Sequence, residues 1–184
     1  MKTESTAKYI LRLSAILFLI AGIVALALAG VNSITAPAIE KLNAEKTQLA
    51  IETVLPGGYD EEISDYADAT GLVSKVYKGA NGYALEVKPG GFDNTITMMV
   101  GVDLDGNVLG ISIVSHTETA GLGAVAAAKT SAGEAFRGQF VGQSGSVSVS
   151  KDGGQIEAIT GATITSRAIC VGVNAALDCG GGLG

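Results

Sequence analysis

The chain begins with a long apolar segment, and shorter alternating segments follow it. No charged residue occurs from Leu13 to Val31, and a helix of those 19 residues would be about 28 Å long, close to the hydrocarbon thickness of a bilayer. The small residues before Gly30 leave a cleaved signal peptide as an alternative, but a secretory apolar region usually has only about 7–15 residues. We therefore predict a retained transmembrane helix over residues 10–31, preceded by a short N-terminal segment, residues 1–9.

Basic residues flank this segment on one side. Lys2, Lys8 and Arg12 precede its uncharged part, and the next basic residue is Lys41. The positive-inside rule then places the N-terminus in the cytoplasm and residues 32–184 outside it. The sequence predicts a single-pass protein of the cytoplasmic (inner) membrane with an extracytoplasmic C-terminal domain.

Residues 32–70 are predicted to form a stalk and a helix. Apolar residues recur at helical spacing as far as Leu55, and we expect Pro37 to break the helix. The helix would then run from about Ala38 to the residue before Pro56. Residues 59–70 are acidic and are interpreted as a solvated loop.

Residues 71–184 have the pattern of a small antiparallel sheet with a few helices. Residues 103–107 predict a hairpin turn between two apolar segments. The predicted strands cover 72–77, 83–87, 95–102 and 108–114, with shorter strands at 146–149 and 156–159. The predicted helices comprise one or two short helices within 124–141 and a last helix over 165–178. This order of elements predicts the α+β class.

Charge and cysteine content exclude several kinds of site. Of 12 basic and 18 acidic residues, three basic and one acidic precede residue 32, which leaves residues 32–184 with a formal net charge of −8. That charge disfavours binding to nucleic acid. Cys170 and Cys179 are too few for an iron–sulfur cluster, and on one helix they would lie about 13 Å apart along its axis, too far for a disulfide. His116 is the single histidine, so no metal site is predicted.

Residues 157–165 (EAITGATIT) precede the last predicted helix. Thr163 lies near the helix N-terminus, where free N–H groups and the helix dipole favour a phosphate, and the small Gly161 and Ala162 would let a bulky group approach. A phosphoester on Thr163 is therefore one interpretation. The other is that Thr163 or Thr165 is an N-cap. A threonine hydroxyl is a weak nucleophile without a base, so attachment would need an external transferase.

This segment resembles the flavinylation motif of FMN-binding domains, Asp-x-x-(Ser/Thr)-Gly-Ala-Thr. Residues 157–163 match it with Glu157 at the acidic position. The resemblance implies that a flavin transferase, using FAD, attaches FMN to Thr163 through a phosphoester bond. The other residues of this segment implied to bind the cofactor are Thr160, Gly161, Ala162 and Thr165.

Residues 116–123 (HTETAGLG) are similar to a second segment of the same family, His-x-Glu-Thr-Pro-Gly-Leu-Gly, with Ala120 in place of proline. Without the family, the histidine would be explained as a strand end and the glycines as a loop. The two segments occur in the family's order, about 40 residues apart. The residues implied to line the flavin ring are His116, Glu118, Thr119, Gly121, Leu122 and Gly123.

Nearly the whole chain resembles the G subunits of Rnf complexes, the ion-translocating ferredoxin:NAD⁺ oxidoreductases of bacteria. The resemblance implies that residues 71–184 are an FMN-binding domain, that the protein is a redox component of a translocase without its own catalytic site, and that the other Rnf-type subunits are its partners. The C subunit of the sodium-translocating NADH:quinone oxidoreductase has similar motifs and is usually longer. A stand-alone membrane-anchored flavoprotein and an anchored binding or assembly protein, in which Thr163 only caps a helix, stay open as alternatives.

Overall fold

The N-terminal apolar segment is part of one long helix, α1 (Thr6–Val54). The computed structural model describes residues 6–183, and it divides the chain into two compact units with a boundary between Glu45 and Lys46. Residues 1–5, including Lys2 of the predicted basic flank, and residue 184 lie outside the described residues. The apolar part of α1 is long and apolar enough to cross a membrane, and its large apolar side chains are exposed. These properties fit the predicted span.

The predicted break at Pro37 is wrong, because α1 continues through this residue. Proline removes one main-chain hydrogen bond and costs about 3 kcal/mol in a helix interior. Residues 38–46 are mostly good helix formers, so that helix is favoured on both sides of the proline. In the preceding turn, the hydroxyls of Ser33 and Thr35 donate to the carbonyls of Ala29 and Val31 at 2.9 and 3.0 Å.

Five antiparallel strands form one sheet in sequence order. They are β1 (Glu61–Ile63), β2 (Val73–Gly79), β3 (Gly82–Val87), β4 (Thr97–Asp103) and β5 (Val108–Ser115). The last four correspond to predicted strands. The predicted loop is wrong for β1, which pairs with β2 at the sheet edge, although Glu61 and Glu62 are exposed as predicted. Its acidic side chains are offset there by ion pairs, Lys75–Glu62 at 3.6 Å and Lys78–Glu61 at 4.0 Å.

Both faces of the sheet are covered, so every residue of β3 is buried. The helix α3 (Thr163–Gly181) packs on one face, where Ile169 and Val173 belong to the larger core cluster. The last turn of α1 packs on the other face through Ile51 and Val54. The α3 side matters for function, because it brings the N-terminus of α3 to the end of the sheet.

The predicted short strands at 146–149 and 156–159 are wrong. One isolated bridge joins Val149 to Ile156, and both side chains are fully buried. The main chain of Val147 hydrogen-bonds the side chain of Asn174 instead of a neighbouring strand. The N–H of Val147 donates to Oδ1 of Asn174 at 2.8 Å, and Nδ2 of Asn174 donates to the carbonyl of Val147 at 2.9 Å. The apolar alternation of these residues therefore reflects burial in the core without strand pairing.

The helical predictions after the sheet agree with the structure. A 3₁₀ turn (Gly123–Ala127) and the helix α2 (Ser131–Gly138) lie in the predicted region, and α3 begins two residues earlier than predicted. Cys170 and Cys179 are both buried in α3 and form no disulfide, as predicted. Burial raises the pKa of the Cys170 thiol to about 11. The predicted α+β class, a long apolar helix followed by an antiparallel sheet with a few helices, is confirmed.

Candidate functional site

A cleft of about 310 Å³ opens beside the N-terminus of α3. This volume lies at the lower end of the range for small-molecule sites. The fold brings the two sequence segments of interest together there, although about 40 residues separate them. The predicted residues that line the cleft are Glu118, Thr119, Leu122, Gly123, Gly161, Ala162, Thr163 and Thr165.

Thr163 is the first residue of α3 and lies at the edge of this cleft. The N-cap is Ala162, and no side chain caps the helix, so the interpretation of Thr163 or Thr165 as a cap is wrong. The Thr163 hydroxyl is half-buried and accepts a hydrogen bond from Nζ of Lys151 at 3.3 Å. Free N–H groups of the first turn of α3 lie beside it, as at other anion-binding helix termini.

A buried carboxylate forms the floor of the cleft. Glu118 is only 7% exposed, and its Oε1 accepts from the main-chain N–H of Phe92 at 2.9 Å. Its Oε2 accepts from the hydroxyl of Thr165, which is 2% exposed. Glu118 therefore ties three parts of the chain together: the loop before β4, its own segment after β5, and the first turn of α3.

Two glycines give this carboxylate its space. A Cβ atom at Gly123 would lie 2.5 Å from both Glu118 Oε2 and Thr165 Oγ1, and one at Gly91 would lie 2.2 Å from Glu118 Oε1. Real Cβ atoms do not approach so closely, so both positions require glycine for close approach. Packing around Glu118 thus explains Gly123 of the segment 116–123, whereas Gly121 has open space around it and a positive φ of 76°.

Three of the predicted site residues lie outside the cleft. His116 is behind the floor, among the apolar side chains near α3, and its Nδ1 accepts from the main-chain N–H of Glu118 at 3.2 Å. Gly121 and Thr160 lie on a separate groove beside α2. On that groove the main-chain N–H of Glu157 donates to Oε1 of Gln139 at 2.7 Å. Nε2 of Gln139 donates in turn to the carbonyl of Glu157 at 3.3 Å. The flavinylation-like segment therefore faces the cleft with its second half only.

Sequence reasoning missed three residues of the cleft: Phe92, Lys151 and Ile164. Phe92 is 65% exposed and Ile164 51% exposed, and with Leu122 they form the apolar rim of the cleft. Lys151 comes from a 3₁₀ turn (Ser150–Asp152) that lies beside α3. None of the three belongs to a recognised motif position, and the apolar pattern around Phe92 and Ile164 gives no sign that they share a surface.

An ion pair fixes the turn that bears Lys151. Arg167 of α3 donates to Asp152 through Nε at 2.6 Å and Nη2 at 2.7 Å, a two-pronged arrangement. The hydrogen bonds from Arg167 lower the pKa of the Asp152 carboxyl below its ordinary value. Both side chains of this pair are exposed, so its main effect is on geometry and its contribution to stability is small.

The cleft is lined by one cation, one buried carboxylate and several apolar side chains. Lys151 and the α3 N-terminus suit a phosphate, and the rim of Phe92, Leu122 and Ile164 suits a flat apolar ring system. Residues 91–178, which include the whole cleft, match the FMN-binding domain family. The arrangement of the side chains is therefore chemically consistent with FMN.

Comparison with known proteins extends the similarity to almost the full length. The chain is 32% identical to the G subunit of the Na(+)-translocating ferredoxin:NAD(+) oxidoreductase complex of Acetobacterium woodii, over 96% of this chain and 94% of that protein. The chain belongs to the G-subunit family of ion-translocating oxidoreductase complexes. This membership confirms the family resemblance seen in the sequence.

Two other G subunits match the chain over different shares of its length. The G subunit of the ion-translocating oxidoreductase complex of Methanosarcina acetivorans is 31% identical over 95% of this chain and 96% of the relative. The G subunit of the proton-translocating ferredoxin:NAD(+) oxidoreductase complex of Clostridium ljungdahlii is 41% identical, over 52% of this chain and 51% of the relative. The FMN-binding match lies within residues 71–184, the part of this family member that was predicted to bind FMN.

Proposed function

We propose that this protein is an electron-transfer component of a membrane-bound Rnf-type complex and that it carries FMN through a phosphoester on Thr163. The observation that carries the proposal is the position of the Thr163 hydroxyl. It lies at the edge of the cleft, it has no capping role in α3, and it ends a segment that resembles the flavinylation motif. We further propose residues 71–184 as the FMN-binding domain.

Among the described residues, no basic side chain accepts a hydrogen bond from the Thr163 hydroxyl. The side-chain group that hydrogen-bonds the Thr163 hydroxyl is the Lys151 ammonium, which donates and cannot accept a proton. We infer that a flavin transferase supplies the base and uses FAD. The Oγ1–H bond of Thr163 breaks and an Oγ1–P bond to the FMN phosphate forms, while the P–O bond of the FAD pyrophosphate breaks. AMP leaves, and the hydroxyl proton passes to the base of the transferase.

Bound FMN would supply one-electron and two-electron transfer, and the chain supplies position and electrostatics. Thr163, the first turn of α3 and Lys151 would hold the phosphate of FMN. The exposed apolar side chains of Phe92, Leu122 and Ile164 would offer contact surface for the flavin ring. Glu118, fixed by its hydrogen bonds to Phe92 and Thr165, would place a carboxylate near the bound flavin.

Substitutions of Glu118 and His116 test this placement of the ring. Glu118→Gln removes a negative charge from the floor, so we expect a higher flavin midpoint potential, because nearby negative charge disfavours electron uptake. His116→Ala removes an uncharged contact behind the floor, the acceptor for the Glu118 N–H, so we expect a smaller shift in potential or spectrum and largely intact attachment. Spectroelectrochemical titration measures both. Unchanged spectra and potentials in both variants would contradict the placement.

We propose that residues 10–31 remain as a single span and that residues 32–184 lie outside the cytoplasm. The uncharged run from Leu13 to Val31 and the basic Lys8 and Arg12 before it support this orientation. Mass spectrometry of the mature protein is expected to find peptides from residues before Gly30, and protease added to spheroplasts is expected to digest the C-terminal domain. A mature chain that begins at Gly30 would overturn the anchor.

The proposed partners are the other subunits of an Rnf-type complex, and the relay role is tested on the assembled complex. The protein, tagged at its chromosomal position, is purified from membranes with its associated subunits. In rapid mixing with reduced ferredoxin and NAD⁺, we expect the flavin on this protein to be reduced and reoxidised during turnover. A protein that purifies alone, or a flavin that keeps one oxidation level while the complex turns over at full rate, would refute the relay role.

A further inference from the structure

We infer that Lys151 is a phosphate-binding residue whose ammonium group pairs with the phosphate that links FMN to Thr163. The inference rests on the proposed attachment of FMN at Thr163 and adds a residue that lies outside both family-like segments. It also assigns a function to the turn between the two buried residues Val149 and Ile156.

The contact between Lys151 and Thr163 is direct. Nζ of Lys151 lies 3.3 Å from Oγ1 of Thr163, and both residues line the cleft. A phosphate on Oγ1 would place anionic oxygens within reach of the ammonium group, because the long lysine side chain is exposed and can adjust its rotamer. Charge-assisted hydrogen bonds of this kind are stronger than neutral ones.

The main chain at Lys151 is held in place by its surroundings. Val149 and Ile156, on the two sides of the turn, are fully buried, and the N–H of Ser150 donates to the carbonyl of Ile156 at 2.8 Å. A Cβ atom at Gly154 would lie 2.0 Å from the carbonyl oxygen of Ser148, so the two arms of the turn are in close contact. Packing of the turn against the core therefore fixes the main-chain position of Lys151.

The charges around the turn leave Lys151 available for an anion. Asp152, its neighbour in sequence, is bound by Arg167 at 2.6 and 2.7 Å. Among the described residues, Lys151 makes no ion pair, and its hydrogen-bond acceptor is the neutral Thr163 hydroxyl. Glu118, the other charged residue lining the cleft, is occupied by Phe92 and Thr165. A cation with a neutral partner, next to the N-terminus of α3, suits a phosphate.

The test compares four full-length proteins: wild type, Lys151→Gln, Lys151→Arg and Lys129→Gln. Lys129 is exposed and lies outside the cleft, so its substitution controls for the loss of one surface charge. Each protein is treated in detergent with a flavin transferase and saturating FAD, and the single-turnover rate of flavin attachment is measured. The rise in Tm on attachment is then measured at low and high salt.

We expect Lys151→Gln to slow attachment about threefold to tenfold and to lose the salt-sensitive part of the Tm rise, because one charge-assisted contact is removed and salt screens such contacts. Lys151→Arg, which keeps the charge, and Lys129→Gln are expected to behave as wild type. The inference is overturned if Lys151→Gln matches wild type in rate, Tm rise and salt dependence, or if Lys129→Gln shows the same losses. If the wild-type protein itself takes no flavin on Thr163, the proposed function fails, a result distinct from failure of the Lys151 inference.

Discussion

Replacement of Thr163 by valine is expected to give a folded protein that carries no covalently bound flavin. Valine keeps the branched shape and removes the one atom that could form the phosphoester at this position. The lost hydroxyl has no capping role and accepts a hydrogen bond from the exposed Lys151, so we expect stability to change by only about 0.5 kcal/mol. Flavin fluorescence in a denaturing gel measures the attached cofactor.

Matched variants make this result specific. Thr163→Ser keeps a hydroxyl and is expected to retain flavin fluorescence. Thr160→Ala removes an exposed hydroxyl that lies outside the cleft and is expected to have the smaller effect. Wild-type fluorescence in the Thr163→Val protein would contradict attachment at this residue, whereas loss in all three variants would indicate a general folding effect.

The second large effect is expected from Thr165→Val, which should destabilise the domain by about 1.5–3 kcal/mol, the range for hydrogen bonds to charged groups. The Thr165 hydroxyl donates to Oε2 of Glu118, and both side chains are buried. Valine has nearly the same shape, so the change leaves the carboxylate without this donor and creates little cavity. We also expect weaker flavin attachment, because Glu118 joins the segment 116–123 to the first turn of α3.

The two buried cysteines provide the measurement of unfolding. Cys170 and Cys179 are shielded in α3, and a fluorogenic thiol reagent would react with them only after the domain opens. For a domain of this size, Thr165→Val is expected to lower Tm by on the order of 5–10 °C. Thr160→Val is the control, since that residue is exposed and should leave Tm nearly unchanged. Equal Tm values for the two variants would contradict the structural role of the Glu118–Thr165 pair.

Much of the fold follows from local sequence pattern. The strands β2–β5 coincide with alternating or β-branched segments, and residues 103–107 form the predicted turn. The failures have physical causes that local pattern does not contain. Pro37 removes one hydrogen bond from α1, but the residues on both sides of it favour the helix. The strand β1 is acidic and lies at the sheet edge, where lysines of β2 offset its charges. The main chain of Val147 is satisfied in the core by the side chain of Asn174, which lies 27 residues further along the chain.

The candidate site was likewise predicted only in part from the sequence. Sequence motifs pointed to Thr163 and to the segment around Glu118, and the fold brings both to one cleft. Lys151 could not be inferred, because its position depends on a turn that packs against α3 from 12 residues earlier in the chain. Motif membership also says nothing about the direction of a side chain. His116 lies behind the cleft floor, and Thr160 lies on a different groove.

The most direct test of the account is the mass of the full-length protein made with and without an active flavin transferase. We expect the transferase to add the mass of one FMN less one water, and we expect fragmentation of the tryptic peptide covering residues 152–167 to place it on Thr163. An increment on Thr160 or Thr165 would move the attachment site. No increment, with the transferase shown to be active on another substrate, would contradict the proposal that Thr163 carries FMN.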